Sequence, residues 1–309
     1  MDSKVIECPN GRKGGTVTVT IGLVGAGRRA AHAHAPTLAG SPDVRFAGVW
    51  APTPGPVREL ADRHHVRPFD RFADLLDHCD AVAFAVPPPV QAELAAAAAQ
   101  RGKSVFLERP MAGDLAGAEE LVEAVQRSKV VSQIGLVWRY STDVRRFLST
   151  EVGRIKPVGG AGRLISGSHR PGGSVSAWRT ERGVPRDQGV DLLDLLEAIL
   201  GPIVGVQAHG DRRGWVGLML DHQVGRFSEA SMSATATPEI FRADVEIFGP
   251  GGGAALDCTL ASGPHVYRTM YREFADAIRS GGAPALDTRH GLHLQRVIES
   301  ADTDVLLGT

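Results

Sequence analysis

Apolar positions in the first 135 residues fall into short unbroken runs separated by longer stretches with helical spacing. The runs lie at 16–24, 44–50, 81–86, 104–107 and 130–134. Rich in β-branched residues and largely uninterrupted, they read as strands covered on both faces. Between them, helical patterns are expected at about 28–38, 57–64, 72–76, 90–101 and 116–127. The fourth is Ala-rich and ends at Gly102, a natural C-cap. Strand–helix alternation over this length predicts a parallel, doubly wound sheet.

The pattern changes after about residue 137. A helix is expected over 139–148 and a strand over 162–168, followed by a Gly-, Arg- and Pro-rich loop at 169–185. A strongly helical stretch at 187–200 is stopped by Gly201-Pro202. Strand candidates then follow one another at 203–209, 214–220, 225–233, 243–248 and 254–258, with no helix between them. That order predicts an open, mostly antiparallel sheet, and helices at 267–280 and 289–306 close the chain. The expected architecture is α/β: a polar, flexible extension at 1–15, a dinucleotide-binding (Rossmann) domain at 16–136, and a C-terminal α/β domain at 137–309.

Composition narrows the partners. With 309 residues, 43% hydrophobic and a formal charge of -1, the chain offers no basic surface for nucleic acid or an anionic membrane. No apolar run approaches the roughly 18 residues of a membrane span. Cys8, Cys79 and Cys258 are odd in number and far apart, which fits neither a disulfide framework nor a metal cluster and suits a reducing cytoplasm. A small-molecule substrate is the expected partner.

Gly25-Ala26-Gly27-Arg28-Arg29-Ala30 follows the first strand and opens a helix. Gly25 permits a tight turn, Gly27 lets backbone approach a pyrophosphate, and Ala30 allows close helix–strand packing. The helix start offers amides to phosphate, and Arg28 or Arg29 either pairs with a 2′-phosphate or merely faces solvent. An acid after the second strand usually holds the ribose 2′-hydroxyl, yet 50–55 contain none. Nothing there repels a 2′-phosphate, and Thr53 could bond to it, so NAD and NADP are both admissible.

Several ordered segments resemble the family of glucose–fructose oxidoreductase, inositol 2-dehydrogenase and the rhizopine catabolism protein MocA. Gly25-x-Gly27-x-x-Ala30 is similar to its cofactor loop, and Ala85-Val86-Pro87 to the strand end beside the nicotinamide. The segment from Gly102 to Pro110, with Glu108-Arg109-Pro110, is similar to its "GKhVxxEKP" stretch. Trp178-Arg179 followed by Asp187, Gly189, Asp191 and Asp194 is similar to its "WR…DxGxHxxD" helix. Tyr271, Phe274, Ala277-Ile278 and Gly291-Leu292 fit its closing helices.

The resemblance implies reversible oxidation of a sugar or cyclitol hydroxyl by NAD(P), with Val86, Pro87 and Glu108 near the cofactor. It implies a homodimer or homotetramer built through the C-terminal sheet. It also implies a Lys, an Asp and a His at the chemistry. Here Arg109 stands in place of the Lys and Asp191 in place of the His, while Asp187 agrees. Gln91 occupies a position where the family often has His. Arg139 and Tyr140 at the domain junction, and His169, Arg170, Trp178 and Arg179 in the loop, are expected to approach the substrate.

Hydride transfer to a ketone needs a proton donor, and the reverse needs a base. Arg109 stays protonated and serves better as a fixed cation that binds and polarises an oxygen. Coding bias is the plain alternative, since Arg outnumbers Lys 29 to 5. Asp187, Asp191 and Asp194, at i, i+4 and i+7, should share one helix face. Crowded carboxylates push one pKa upward, and Asp191 is the expected proton carrier. Asp194 is expected to bond to backbone instead. No His or Cys joins the set, so no metal is expected. Arg109, Asp187 and Asp191 are therefore the candidate catalytic residues of an NAD(P)-dependent oxidoreductase acting on a sugar-like or natural-product alcohol or ketone. His169, Tyr140 and Tyr267 are alternative proton donors. Rival readings are a redox-neutral enzyme of this fold and a non-catalytic NAD(P)-binding sensor.

Overall fold

The computed structural model describes residues 18–170, 177–237 and 239–307. The extension expected at 1–15 and the start of the first strand lie outside them. The first sheet contains β1 (Val19–Val24), β2 (Val44–Trp50), β3 (Arg67–Pro68), β4 (Ala81–Phe84), β5 (Ser104–Leu107) and β6 (Ser132–Ile134). Every pairing is parallel, in the order β3-β2-β1-β4-β5-β6. All residues of β1, β4 and β5 are buried, as strands with helices on both faces require. The helices are α1 (Ala35–Ala39), α2 (Pro54–His64), α3 (Phe72–Asp77), α4 (Pro88–Gln100) and α5 (Leu115–Ser128). Asp114 caps α5 by accepting from the Gly117 amide.

Two details depart from the expected pattern. Residues Ala30–His34, expected as ordinary helix, form a π-helical turn before α1. β3 carried no sequence signal; it pairs only Arg67 and Pro68 with Gly48 and Val49, and its Pro is tolerated because the strand is an edge.

The second sheet contains β7 (Gly159–Ile165), β8 (Ile203–Gly210), β9 (Trp215–His222), β10 (Arg226–Ser233), β11 (Arg242–Gly249) and β12 (Gly252–Asp257). Its order is β12-β11-β7-β10-β9-β8, antiparallel except for β7 with β10. One face packs on α8 (Val190–Leu200), where Leu192 fills the space beside Gly162. The other is open and carries the exposed side chains of Trp215, Met219 and Phe248. The helix expected at 139–148 is a 3₁₀ turn at Val137–Tyr140 followed by α6 (Thr142–Ile155). The segment read as loop contains α7 (Ala177–Arg182), and a π-helical turn at Pro185–Gly189 leads into α8.

The chain then returns to the first sheet. α9 (Pro264–Ser280) buries Tyr267, Met270, Tyr271 and Phe274 as one helical stripe, with Tyr271 stacked on Phe106 at 4.8 Å. α10 (Thr288–Leu307) packs between α5 and β8, and the Thr288 amide donates to Ser132 on β6. α9 thus lies against β1 and, through Tyr271, against β5, and a ligand cleft is expected at the carboxyl ends of such strands.

Candidate active site

The cofactor loop starts where β1 ends. Gly25 has φ +118°, and a Cβ there would lie 2.5 Å from the Ala85 carbonyl oxygen. Only glycine meets both demands. Its amide donates to Trp50 O at 2.8 Å, closing the turn. A Cβ on Gly27 would meet nothing within 4 Å, so the loop faces open space there, and Ala30 is fully buried behind it. This cradle fits a dinucleotide pyrophosphate. Thr53 stands exposed at the head of α2 with its hydroxyl unused by the helix, and Arg28 is exposed nearby in sequence to the cradle.

The 108–111 segment is held by Gln91, which is fully buried in the first turn of α4. Its Oε1 accepts from the Glu108 amide at 2.9 Å, and its Nε2 donates to the carbonyls of Glu108 and Met111 at 2.7 and 3.1 Å. The Arg109–Pro110 peptide is cis. Gln91 is therefore a clamp on the strand end, and its amide is spent on backbone.

Glu108 does not offer its carboxylate to a cofactor. Oε1 accepts from Tyr267 Oη at 2.8 Å and from His34 Nε2 at 3.0 Å. Arg29 donates to Tyr267 Oη at 2.8 Å and lies 3.9 Å from Glu108 Oε2. The π-helical turn aims the buried His34 at this carboxylate, and Tyr271 Oη meets its other ring nitrogen at 2.5 Å. Burial raises the Glu108 pKa, but Arg29, His34 and Arg109 more than reverse it, so the net direction is down. The same carboxylate raises Arg29, and burial with Glu108 raises Tyr267.

The three acids expected on one face have separate partners. Asp187 sits in the π-helical turn; Oδ2 accepts from His169 Nε2 at 2.8 Å, and Oδ1 lies 3.3 Å from Arg179 Nη1. Burial pushes its pKa up, but His169, Arg179 and Arg109 pull harder, so it is lowered overall. Asp191 faces Arg109, with Oδ2 at 2.7 Å from Nε. Arg109 Nη1 also donates to the Asp187 carbonyl. Asp191 is pushed up to about 6, first by burial, with Asp194 and Glu108 adding and Arg109 opposing. Burial, more than crowding, raises it. Asp194 was expected to bond to backbone; it accepts instead from Arg139 Nη1 at 2.9 Å and His290 Nε2 at 2.6 Å.

Among the cavities that Arg109 borders, two also hold Arg29 and Arg179. The smaller, of about 150 Å³, runs from Val86 and Pro87 to Glu108 and Arg109. The larger, of about 550 Å³, spreads toward the second sheet past Asp191 and Gln188. Arg29, Arg109 and Arg179 line both. The structure thus brings together Val86, Pro87, Glu108, Arg109, Asp191 and Arg179, with Arg29 reaching in from the cofactor loop.

Other candidates lie elsewhere. Asp187 and His169 are buried behind the arginines and form no part of either wall. Arg139 and Tyr140 line a separate cavity of about 590 Å³ with Arg145 and Glu273, and Arg139 is paired there with buried Asp194. Burial and Glu273 raise the Tyr140 hydroxyl, and that of Tyr267 is engaged at both Arg29 and Glu108. Neither presents a ready proton. The Trp178 side chain lies outside the described residues. Sequence reasoning missed Trp138, Ser166, Ser168, Gln188 and Phe241 in the larger wall. Ser166 follows the end of β7, and a polar residue at a strand end was the available signal.

Residues 19–136 match the family described as "Oxidoreductase family, NAD-binding Rossmann fold". The inositol 2-dehydrogenase of Rhizobium meliloti (strain 1021) is 26% identical over 60% of this chain and 56% of its own length. A putative UDP-kanosamine synthase oxidoreductase subunit of Amycolatopsis mediterranei (strain S699) is 36% identical over 42% of this chain and 37% of its own. The chain thus spans about half the length of these curated relatives or less. The crystal structure of GenD2 from gentamicin A biosynthesis, in complex with NAD, superposes with a TM-score of 0.84 at 18% identity, covering 96% of this chain and 97% of that one. That likeness shares the fold of both sheets. The cofactor loop, the order of the first sheet and the family match converge on residues 19–136, which match the NAD-binding Rossmann domain of the glucose–fructose oxidoreductase, inositol dehydrogenase and MocA oxidoreductase family.

Proposed function

We propose that this chain interconverts a secondary alcohol and a ketone, with Arg109 holding the reacting oxygen and Asp191 carrying its proton. The observation behind this reading is the Arg109–Asp191 pair, 2.7 Å apart where the two cavities join. NAD(P) held by the 25–30 loop and the Val86–Pro87 wall would supply the hydride acceptor, or the donor in the reverse direction. In oxidation the carbinol carbon loses a hydride and its hydroxyl loses a proton. Ionised Asp191 takes that proton, and the Arg109 guanidinium stabilises the charge developing on oxygen. Arg109 cannot exchange a proton near neutrality. A carboxyl near pKa 6 can serve in either direction.

Asp187 is a positioning residue in this scheme. Its carbonyl holds Arg109 and its carboxylate holds Arg179 and His169. The inositol and UDP-kanosamine relatives favour a hydroxyl on a sugar-like or natural-product ring.

The test is a pair of pH profiles. Oxidative kcat/KM should rise through about pH 6 and level off, since Asp191 must be ionised. Reductive kcat/KM should fall through the same region. Asp191→Asn should remove both breaks and lower the rate by on the order of 100-fold. A break that persists in Asp191→Asn assigns the proton to another group.

A further inference from the structure

Arg29, Arg109 and Arg179 converge on the junction of the two cavities. Among the described residues, Arg109 Nε is bound to Asp191 and Nη1 to the Asp187 carbonyl, while Nη2 donates to no partner. Facing these guanidiniums are Glu108, Asp187 and Asp191. Burial, Arg109 and Arg29 together depress the Arg179 pKa against the pull of Asp187, as expected where cations crowd. Asp191 is the one carboxylate among the described residues of the larger wall. The same wall holds Trp138, Leu164, Ile240 and Phe241, the last two 48% and 51% exposed.

Three guanidiniums in one wall only donate, so beside them a group that only accepts is favoured over a hydroxyl. A charge-assisted hydrogen bond from Arg109 Nη2 suits an oxyanion oxygen better than a neutral hydroxyl.

We infer that the substrate bears an oxyanion close to the carbon that changes oxidation state: it is a hydroxy or oxo acid, or a phosphate ester, with the charge on Arg109 and Arg179 and an apolar portion against Trp138 and Phe241. This rests on the oxidoreductase reading above. Carboxylate and phosphate share the chemistry, and separate probes distinguish them. Arg29, read from sequence as a cofactor residue, becomes part of the substrate site.

The experiment is calorimetric titration of the full chain at constant ionic strength. NADH and NADPH are titrated first, independently of any substrate. With the tighter dinucleotide saturating, so that its phosphate cradle is filled, malonate, inorganic phosphate and erythritol follow. Malonate or phosphate should bind at least tenfold tighter than erythritol. Arg179→Gln, titrated with the tighter dinucleotide again saturating, should abolish that preference. Preference for malonate supports an acid substrate, and preference for phosphate supports an ester. Erythritol binding as well as the anions, or anion binding unchanged in Arg179→Gln, overturns the inference and leaves the oxidoreductase reading standing. Failure of both dinucleotides sinks that reading instead. Malonate binding by wild type and Arg179→Gln alone then decides the anion site. Should Arg179→Gln not fold, Phe241→Ser with a hydrophobic dicarboxylate, phenylmalonate, replaces it: its advantage over malonate should vanish, and an advantage that persists overturns the apolar half.

Discussion

Asp191 makes the proposed chemistry and the stability of the fold pull in opposite directions, which Asp191→Asn can measure. Its carboxyl is 2% exposed, and its pKa moves from 3.8 in the free side chain to about 6 in the folded chain. A raised carboxyl means that the folded state binds more protons than the unfolded state, so stability falls as pH rises from about 4 to about 6. The difference of roughly 2 units corresponds to about 3 kcal/mol of cost at high pH. About half is already present at pH 5, so ~1.4 kcal/mol should appear between pH 5 and pH 8. A neutral Asn does not carry this penalty, although it gives up the charge of the Arg109 pair. The stability of Asp191→Asn relative to wild type should therefore improve by ~1.4 kcal/mol between those pH values, about 2 °C in Tm for a chain this long. The assay is denaturant unfolding of both proteins at pH 5 and pH 8, alongside turnover. A gap that is flat with pH, or that moves in favour of wild type, would refute the account of Asp191 as a carboxyl held near 6.

Glu108→Gln should cost about 3–5 kcal/mol at pH 7, because it strips the buried anion from Arg29, His34 and Tyr267. The folded Glu108 pKa is depressed below 4.5, so its contribution is present above that pH and fades as pH falls; the wild-type advantage in guanidinium unfolding should shrink on acidification, and a constant gap contradicts the pairing. Gly25→Ala places a Cβ 2.5 Å from Ala85 O at φ +118°, and calorimetry should find dinucleotide affinity at least tenfold weaker; undiminished binding would remove the cradle from the cofactor site. The open face of the second sheet exposes Trp215 by 54% and Met219 by 44%, so light scattering should find a homodimer or tetramer that Met219→Arg disperses. A wild-type mass of 32.7 kDa would count against it.

The strands were legible because burial on both faces leaves a distinct mark: β1, β4 and β5 have no exposed residue, so unbroken apolar runs located them. β3 left no such mark, being two residues held by backbone pairing alone. Helix positions were legible, but their pitch was not. An i, i+4 spacing assumes regular α-helix, whereas the turns at Ala30–His34 and Pro185–Gly189 are π-helical and redirect His34 and Asp187. Arg109 and Asp191 could be picked out by residue type at matching positions, yet their pairing depends on the packing of two strand-and-helix layers far apart in sequence. Arg139 misled because a charged residue at a domain junction can turn either way, and buried Asp194 determined which. The Glu108 network was illegible for the same reason, since His34 and Tyr267 reach it from opposite ends of the chain.

The shared arginine wall has a thermodynamic consequence. Arg29, Arg109 and Arg179 border both cavities, so neither occupant can change their contacts without altering the affinity of the other. Whatever factor a dinucleotide applies to the second ligand must return with equal size in the opposite order of addition. Binding energies of the two ligands are then not additive, and a substitution at any of the three changes both constants together. A rise in substrate KM in an arginine variant therefore assigns the residue to neither cavity by itself. Four titrations closed into a cycle separate what each ligand gains alone from what the pair gains together, and the two cavities are best regarded as one binding unit with two entrances.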